Sequence, residues 1–121
     1  MTDRILIVED EPAVRHSLRD VLEDEGYLVA EAANGQEALD YLKSHDAPCL
    51  ILLDLMMPVM SGAEFLAAVK HDPALREVSI VIVSAASRER VEAVKSSSSA
   101  VGVLLKPVQL TPLLEAVAEY C

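Results

Sequence analysis

The sequence predicts an α/β protein: a doubly wound, parallel five-stranded sheet in the order 2-1-3-4-5, built as five β-α units. Two observations predict it. Five short runs rich in Val, Ile and Leu recur along the 121 residues, and none alternates polar with apolar positions, which is the pattern of strands covered on both faces. The segments between them carry helical periodicity and turn residues, as crossover helices require. A closed eight-fold barrel needs about 250 residues, so an open sheet with right-handed crossovers is the solution for so few strands.

The predicted strands are Ile5 to Val8, Leu28 to Ala30, Leu50 to Leu53, Ile80 to Val83 and Val101 to Leu105. After the first strand, Val14, Leu18, Val21 and Leu22 lie on one helical face, with Pro12 suited to the first helical position and Gly26 to a C-terminal stop. Asn34-Gly35 then makes a turn, and Ala38, Leu39 and Leu42 mark a short helix ending before Pro48. A third helix follows Gly62, uses Phe65, Leu66 and Val69, and stops near Pro73. The fourth is weaker, with Val91 and Val94 on one side and then the run Ser96 to Ser99; serines compete with the helical backbone, so its end is expected to be irregular. The fifth is expected to begin with Thr111 as N-cap and Pro112 at the first position, burying Leu113 or Leu114 and Val117.

The length corresponds to a single domain spanning residues 1–121. With 52% hydrophobic residues it has material for a packed core, and with 3% aromatics and no Trp that core is aliphatic. Ten Lys and Arg against twenty Asp and Glu give a formal charge of −10, which opposes binding to nucleic acid or an anionic membrane by this domain. Cys49 and Cys121, 72 positions apart, have neither metal-ligand spacing nor a disulfide framework, so both are expected to be free thiols in a reducing, cytoplasmic compartment. The apolar runs are strand-sized, too short to cross a membrane.

In the order 2-1-3-4-5 the winding reverses between strands 1 and 3, and ligands bind outside the carboxyl ends there. Strand 1 empties into Glu9, Asp10 and Glu11, strand 3 into Asp54, strand 4 into Ser84 and strand 5 into Lys106-Pro107. Clustered carboxylates repel unless one is protonated or a cation lies between them. Oxygen ligands without His or Cys select Mg2+ or Mn2+, and such a cation together with Lys106 suits the charge of a phosphoryl group. Asp54 is then a candidate nucleophile, and Ser84 is placed to hydrogen-bond the phosphoryl group. Glu11, beyond the strand end, reads better as an acid complementing a helix N-terminus.

The stretches Ile5-Leu-Ile-Val-Glu-Asp-Glu-Pro12 and Leu52-Leu-Asp-Leu-Met-Met-Pro-Val-Met-Ser-Gly62, with Ser84-Ala85 and Lys106-Pro107, resemble the receiver domain of two-component response regulators, a flavodoxin-like fold. The resemblance covers essentially the whole chain. It implies that Asp54 accepts a phosphoryl group from a histidine kinase or phosphotransfer protein. It also implies that Asp10, Asp54 and the carbonyl of Met56 bind Mg2+, with Glu9 acting through water. Ser84 and Lys106 would contact the phosphoryl oxygens, and Lys106-Pro107 would be a cis peptide. The helix 4, strand 5, helix 5 face would meet an output domain, a downstream protein or a second copy. Such a domain is not an enzyme in its own right; it assists only its own phosphorylation and dephosphorylation. Three positions depart from the family pattern: Val103 replaces an aromatic, Ser84 replaces Thr, and the Ser96 to Ser99 run replaces Ala and Gly. A Mg2+-dependent phosphohydrolase fits less well, because Met56 stands where its second Asp would be. A nucleotide binder on this fold would want a phosphate cradle where the chain has Glu9-Asp10-Glu11. A degenerate interaction module would have lost Asp54, Asp10 or Lys106.

Overall fold

A computed structural model describes residues 4–75, 77–85, 87–96, 98 and 100–121. The elements follow one another as β1 (Arg4–Val8), α1 (Pro12–Asp24), β2 (Leu28–Ala32), α2 (Gly35–Ser44), β3 (Leu50–Asp54), α3 (Gly62–Lys70), β4 (Ile80–Ser84), α4 (Arg88–Ser96), β5 (Gly102–Leu105) and α5 (Leu110–Tyr120). The strands form one parallel sheet in the order β2-β1-β3-β4-β5. In its register Val8 lies beside Leu53, Asp54 beside Val83 and Ser84 beside Leu105, so the carboxyl ends of β1, β3, β4 and β5 share one edge.

The double winding follows from side-chain alternation along each strand. Ile5, Ile7, Leu50, Leu52, Val81 and Val83 face Leu18 and Leu22 of α1 and Leu113 and Val117 of α5. Their neighbours Leu6, Val8, Ile51, Leu53, Ile80 and Ile82 face the opposite layer of α2, α3 and α4, where Phe65, Leu66, Val69 and Val91 are buried. Apolar residues at every strand position are therefore what a sheet covered twice needs.

Helix ends follow local chemistry. Pro12 opens α1, and Gly26 at φ 93° ends it in the left-handed region that a glycine adopts without penalty. Asn34 caps α2 by accepting the Glu37 amide at 2.9 Å. Ser61 and Glu64 form a reciprocal capping box at the start of α3.

Several expectations shift. β2 runs on to Ala32, taking in the charged Glu31. Helix α5 begins at Leu110 with Gln109 as N-cap, which puts Pro112 at the third position; its missing N–H costs nothing anywhere in the first turn, where the amides have no intrahelical partner. In the serine run, positions 97 and 99 lie outside the described residues; α4 ends at Ser96, and the Ser98 hydroxyl donates to the Lys95 carbonyl at 3.3 Å.

The cysteine expectation is wrong. Cys49 and Cys121 form a disulfide, with Cα atoms 5.4 Å apart. The sheet collects all strand starts at one edge, and α5, returning antiparallel to β5, brings the last residue to that edge beside the start of β3. The two cysteines therefore offer no argument for a reducing compartment. Among the described residues, no helix is long and apolar enough to cross a membrane.

Candidate functional site

Five polar residues converge at the shared carboxyl edge. Glu9 and Asp10 leave β1, Asp54 ends β3, Ser84 ends β4 and Lys106 follows β5. Oxygens of Glu9, Asp10 and Asp54 all lie within 4.8 Å of one another. Lys106 Nζ reaches Glu9 Oε1 at 2.6 Å and Asp54 Oδ2 at 3.6 Å. Glu9, Asp54 and Ser84 are buried, while Asp10 is half-buried at the mouth.

The surrounding backbone holds these groups in place. The Lys106 amide donates to the Ser84 carbonyl at 2.8 Å, tying the ends of β4 and β5, and the Lys106-Pro107 peptide is cis as the resemblance implied. The Glu11 amide donates to Glu9 Oε2 at 3.1 Å, and the Met56 amide donates to Asp54 Oδ1 at 3.2 Å. Glu11 itself is the N-cap residue of α1, as its position beyond the strand suggested. Gly62 packs directly on the backbone of Asp54 and Leu55: a Cβ there would collide with the Asp54 carbonyl and come to 2.6 Å from Leu55 Cα. Between them Val59 has φ 66°, a left-handed conformation that a β-branched residue adopts only under strain.

The electrostatics are those of a carboxylate cluster with more negative than positive charge. Burial raises the Asp54 carboxyl and the Glu9 charge adds to it, to about 6. Burial likewise raises Asp10, with Glu9 again contributing. Burial opposes the charged form of Glu9 too, but the hydrogen bonds from Lys106 and the Glu11 amide outweigh it and hold that carboxyl below its usual range. Lys106 is held above its usual value because its hydrogen bond to Glu9 and the charge of Asp54 outweigh its burial. One ammonium thus faces three carboxylates, and it is committed mainly to Glu9. An all-oxygen donor set with excess negative charge fits a hard divalent cation.

Every residue singled out from the sequence at the strand ends is brought to this edge. Met56, whose carbonyl the resemblance implies as a metal ligand, lies two residues beyond Asp54 with its side chain largely exposed. Sequence reasoning does not find Arg15 and Glu31, which brace the Glu9 carbonyl from outside the site. The one available signal was a charged residue directly after the Leu28 to Ala30 run.

Fold and site together define a class: doubly wound α/β domains that carry an acidic, cation-compatible cluster and one lysine at the switch point. The chain belongs to the response regulator receiver domain family, whose family model matches residues 5–118. The chemotaxis protein CheY of Halobacterium salinarum is 32% identical over 120 residues, covering 98% of this chain and 97% of that protein. The response regulator Rre1 of Synechocystis sp. is 42% identical over 82 residues, which are 67% of this chain but 35% of that longer protein. Among solved structures, the response regulator TrrA of Thermotoga maritima in complex with Mg2+-BeF superimposes with a TM-score of 0.86 at 31% identity, covering both chains fully. The chain is thus a phosphoacceptor module of two-component signal transduction.

Proposed function

We propose that Asp54 is the phosphoacceptor, receiving its phosphoryl group from a histidine kinase or a phosphotransfer protein. The observation that carries this is Asp54 itself: a buried carboxyl at the switch point, 3.6 Å from Lys106 and within 4.8 Å of the Glu9 and Asp10 oxygens. One Asp54 oxygen attacks phosphorus, the bond to the donor's imidazole nitrogen breaks, and that nitrogen keeps the electron pair. Asp10, Asp54 and the Met56 carbonyl would hold Mg2+, with Mn2+ as a substitute and Glu9 acting through water. The cation supplies positive charge against the phosphoryl oxygens. Lys106 supplies the other positive charge, and a phosphoryl group on Asp54 competes with Glu9 for its ammonium. Ser84, at the end of the adjacent strand, offers its hydroxyl to the same oxygens.

The receiver unit spans residues 1–121, acts in the cytoplasm, and performs only its own phosphorylation and dephosphorylation, since Met56 cannot serve as the general acid of a phosphohydrolase. Its readout is the α4-β5-α5 face, through an output domain, a downstream protein or a homodimer. On that face Val103 lines an open groove of about 320 Å³ with Arg88, Glu92, Lys95 and Pro112, so no ring is available to move there. The alternative reading is a phosphorylation-independent interaction module. Beryllofluoride with Mg2+ separates the two in an amide NMR spectrum. The expected result is shifts at the carboxyl edge and across α4-β5-α5 only when both reagents are present, and none in Asp54→Ala. An unchanged spectrum with both reagents overturns the phosphoacceptor reading.

A further inference from the structure

Arg15 projects from the first turns of α1 and joins two groups that are distant in sequence. Its Nη1 donates to the backbone carbonyl of Glu9 at 2.8 Å, and its Nε donates to Glu31 Oε1 of β2 at 3.1 Å. The Glu31 carboxylate is held in turn by Arg19 Nη1 at 3.2 Å and faces His16 Nε2 at 3.5 Å. The Glu9 amide donates to the Ala32 carbonyl at 3.0 Å. Both backbone polar groups of Glu9 are therefore anchored, one to the end of β2 and the other through Arg15 to Glu31. Fixing the Glu9 carbonyl fixes the plane of the Glu9–Asp10 peptide, from which the half-buried Asp10 carboxylate departs toward Asp54. Arg15 is itself only 15% exposed, so its guanidinium is wedged between these partners. A guanidinium has donors in a rigid fork that can serve both at once; an ammonium does not.

We infer that Arg15, braced by Glu31, is a positioning residue that holds the Glu9-Asp10 turn in the geometry Mg2+ requires. This rests on the metal reading above. Mg2+ demands near-ideal octahedral ligand placement, whereas Ca2+ tolerates irregular sites, so a loosened turn weakens Mg2+ more than Ca2+. Partners that orient ligands from outside a metal site typically change affinity by about 10- to 100-fold when removed. The direction of the effect separates positioning from charge. Removing a cation from the neighbourhood of a cation site strengthens metal binding by Coulomb attraction alone; removing a positioning group weakens it.

The test is calorimetric titration of the 121-residue chain with MgCl2 and with CaCl2, on variants whose melting in metal-free buffer shows them folded. Arg15→Ala is expected to bind Mg2+ about tenfold more weakly and to lose part of its preference for Mg2+ over Ca2+. Arg15→Lys, which keeps the charge and most of the packing, is expected to lose affinity in the same direction. Glu31→Ala should reproduce the Arg15→Ala loss, and the double variant should add little to either. Arg19→Ala, which removes an equal charge from the same carboxylate without touching Glu9, should leave Mg2+ affinity within about twofold. Unchanged or tighter Mg2+ binding in both Arg15 variants overturns the inference, as does an equal loss in Arg19→Ala. No Mg2+ binding by the unsubstituted chain overturns the metal reading instead.

Discussion

Replacing Asp54 with Asn should stabilise the metal-free protein at neutral pH. The carboxyl is raised from 3.8 to about 6 by burial and by the Glu9 charge, so the folded chain holds a proton there that the unfolded chain has already released. Between those two values the unfolded state binds fewer protons, and stability falls as pH rises. The difference between 3.8 and about 6 corresponds to about 3 kcal/mol at pH above both. The site opens to solvent at the carboxyl edge, and screening reduces the effect to about 1–2 kcal/mol. Asn has the same shape, keeps an oxygen for the Met56 amide, and carries no charge against Glu9. For a chain of this length that is a gain of roughly 5 °C in melting temperature at about pH 7.5, in chelator. At about pH 4 the aspartate is itself neutral in the folded state, so the gap should close. Mg2+ should narrow it from the other side by stabilising the wild-type chain through binding. Scanning calorimetry with EDTA at both pH values reads the effect. An Asp54→Asn variant that melts at or below the wild-type temperature at neutral pH, or a gap that persists unchanged in acid, refutes the picture of an uncompensated carboxylate cluster.

Gly62→Ala should cost about 2 kcal/mol or more in denaturant unfolding, because its Cβ meets backbone of Asp54 and Leu55 that cannot give way; an unchanged midpoint would show that the β3-α3 loop yields freely. Val59→Asn should raise stability by about 1 kcal/mol, since Asn tolerates the left-handed conformation that Val59 holds at φ 66°; a lower midpoint would contradict the strain assigned there. Thiol titration of the oxidised chain should find no free cysteine, and Cys121→Ser should destabilise it, with an upper bound of about 4 kcal/mol set by the 72-residue separation of Cys49 and Cys121. If reductant leaves the wild-type melting temperature unchanged, the link between β3 and α5 does not contribute.

The fold could be read from the sequence because the sheet is covered on both faces. Ile5 and Ile7 serve one layer and Leu6 and Val8 the other, so β1, like β3 and β4, carries a continuous apolar run that no surface strand resembles. The site could be read because parallel strands end at one edge, which turns the residue after each run into a neighbour of the others. What the sequence hides are contacts across elements. Glu31 interrupts the apolar pattern of β2 and so obscures its end, yet its charge is there to hold Arg15 and Arg19. Arg15 reads as a solvated helix residue until its partner in β2 is known. The Cys49–Cys121 pair depends on where α5 finishes relative to β3, which spacing alone does not encode. The start of α5 slipped because a proline is tolerated throughout the first helical turn.

If Asp54 takes a phosphoryl group in a reaction that needs the acidic cluster and its cation, a small phosphodonor should label this one residue and only with metal present. Intact-protein mass spectrometry after incubation with phosphoramidate reads that outcome. The wild-type chain should gain the mass of one phosphoryl group with Mg2+ and none in EDTA, and Asp54→Asn should gain none under either condition. Equal labelling of Asp54→Asn, or labelling of the wild type that persists in chelator, would contradict it.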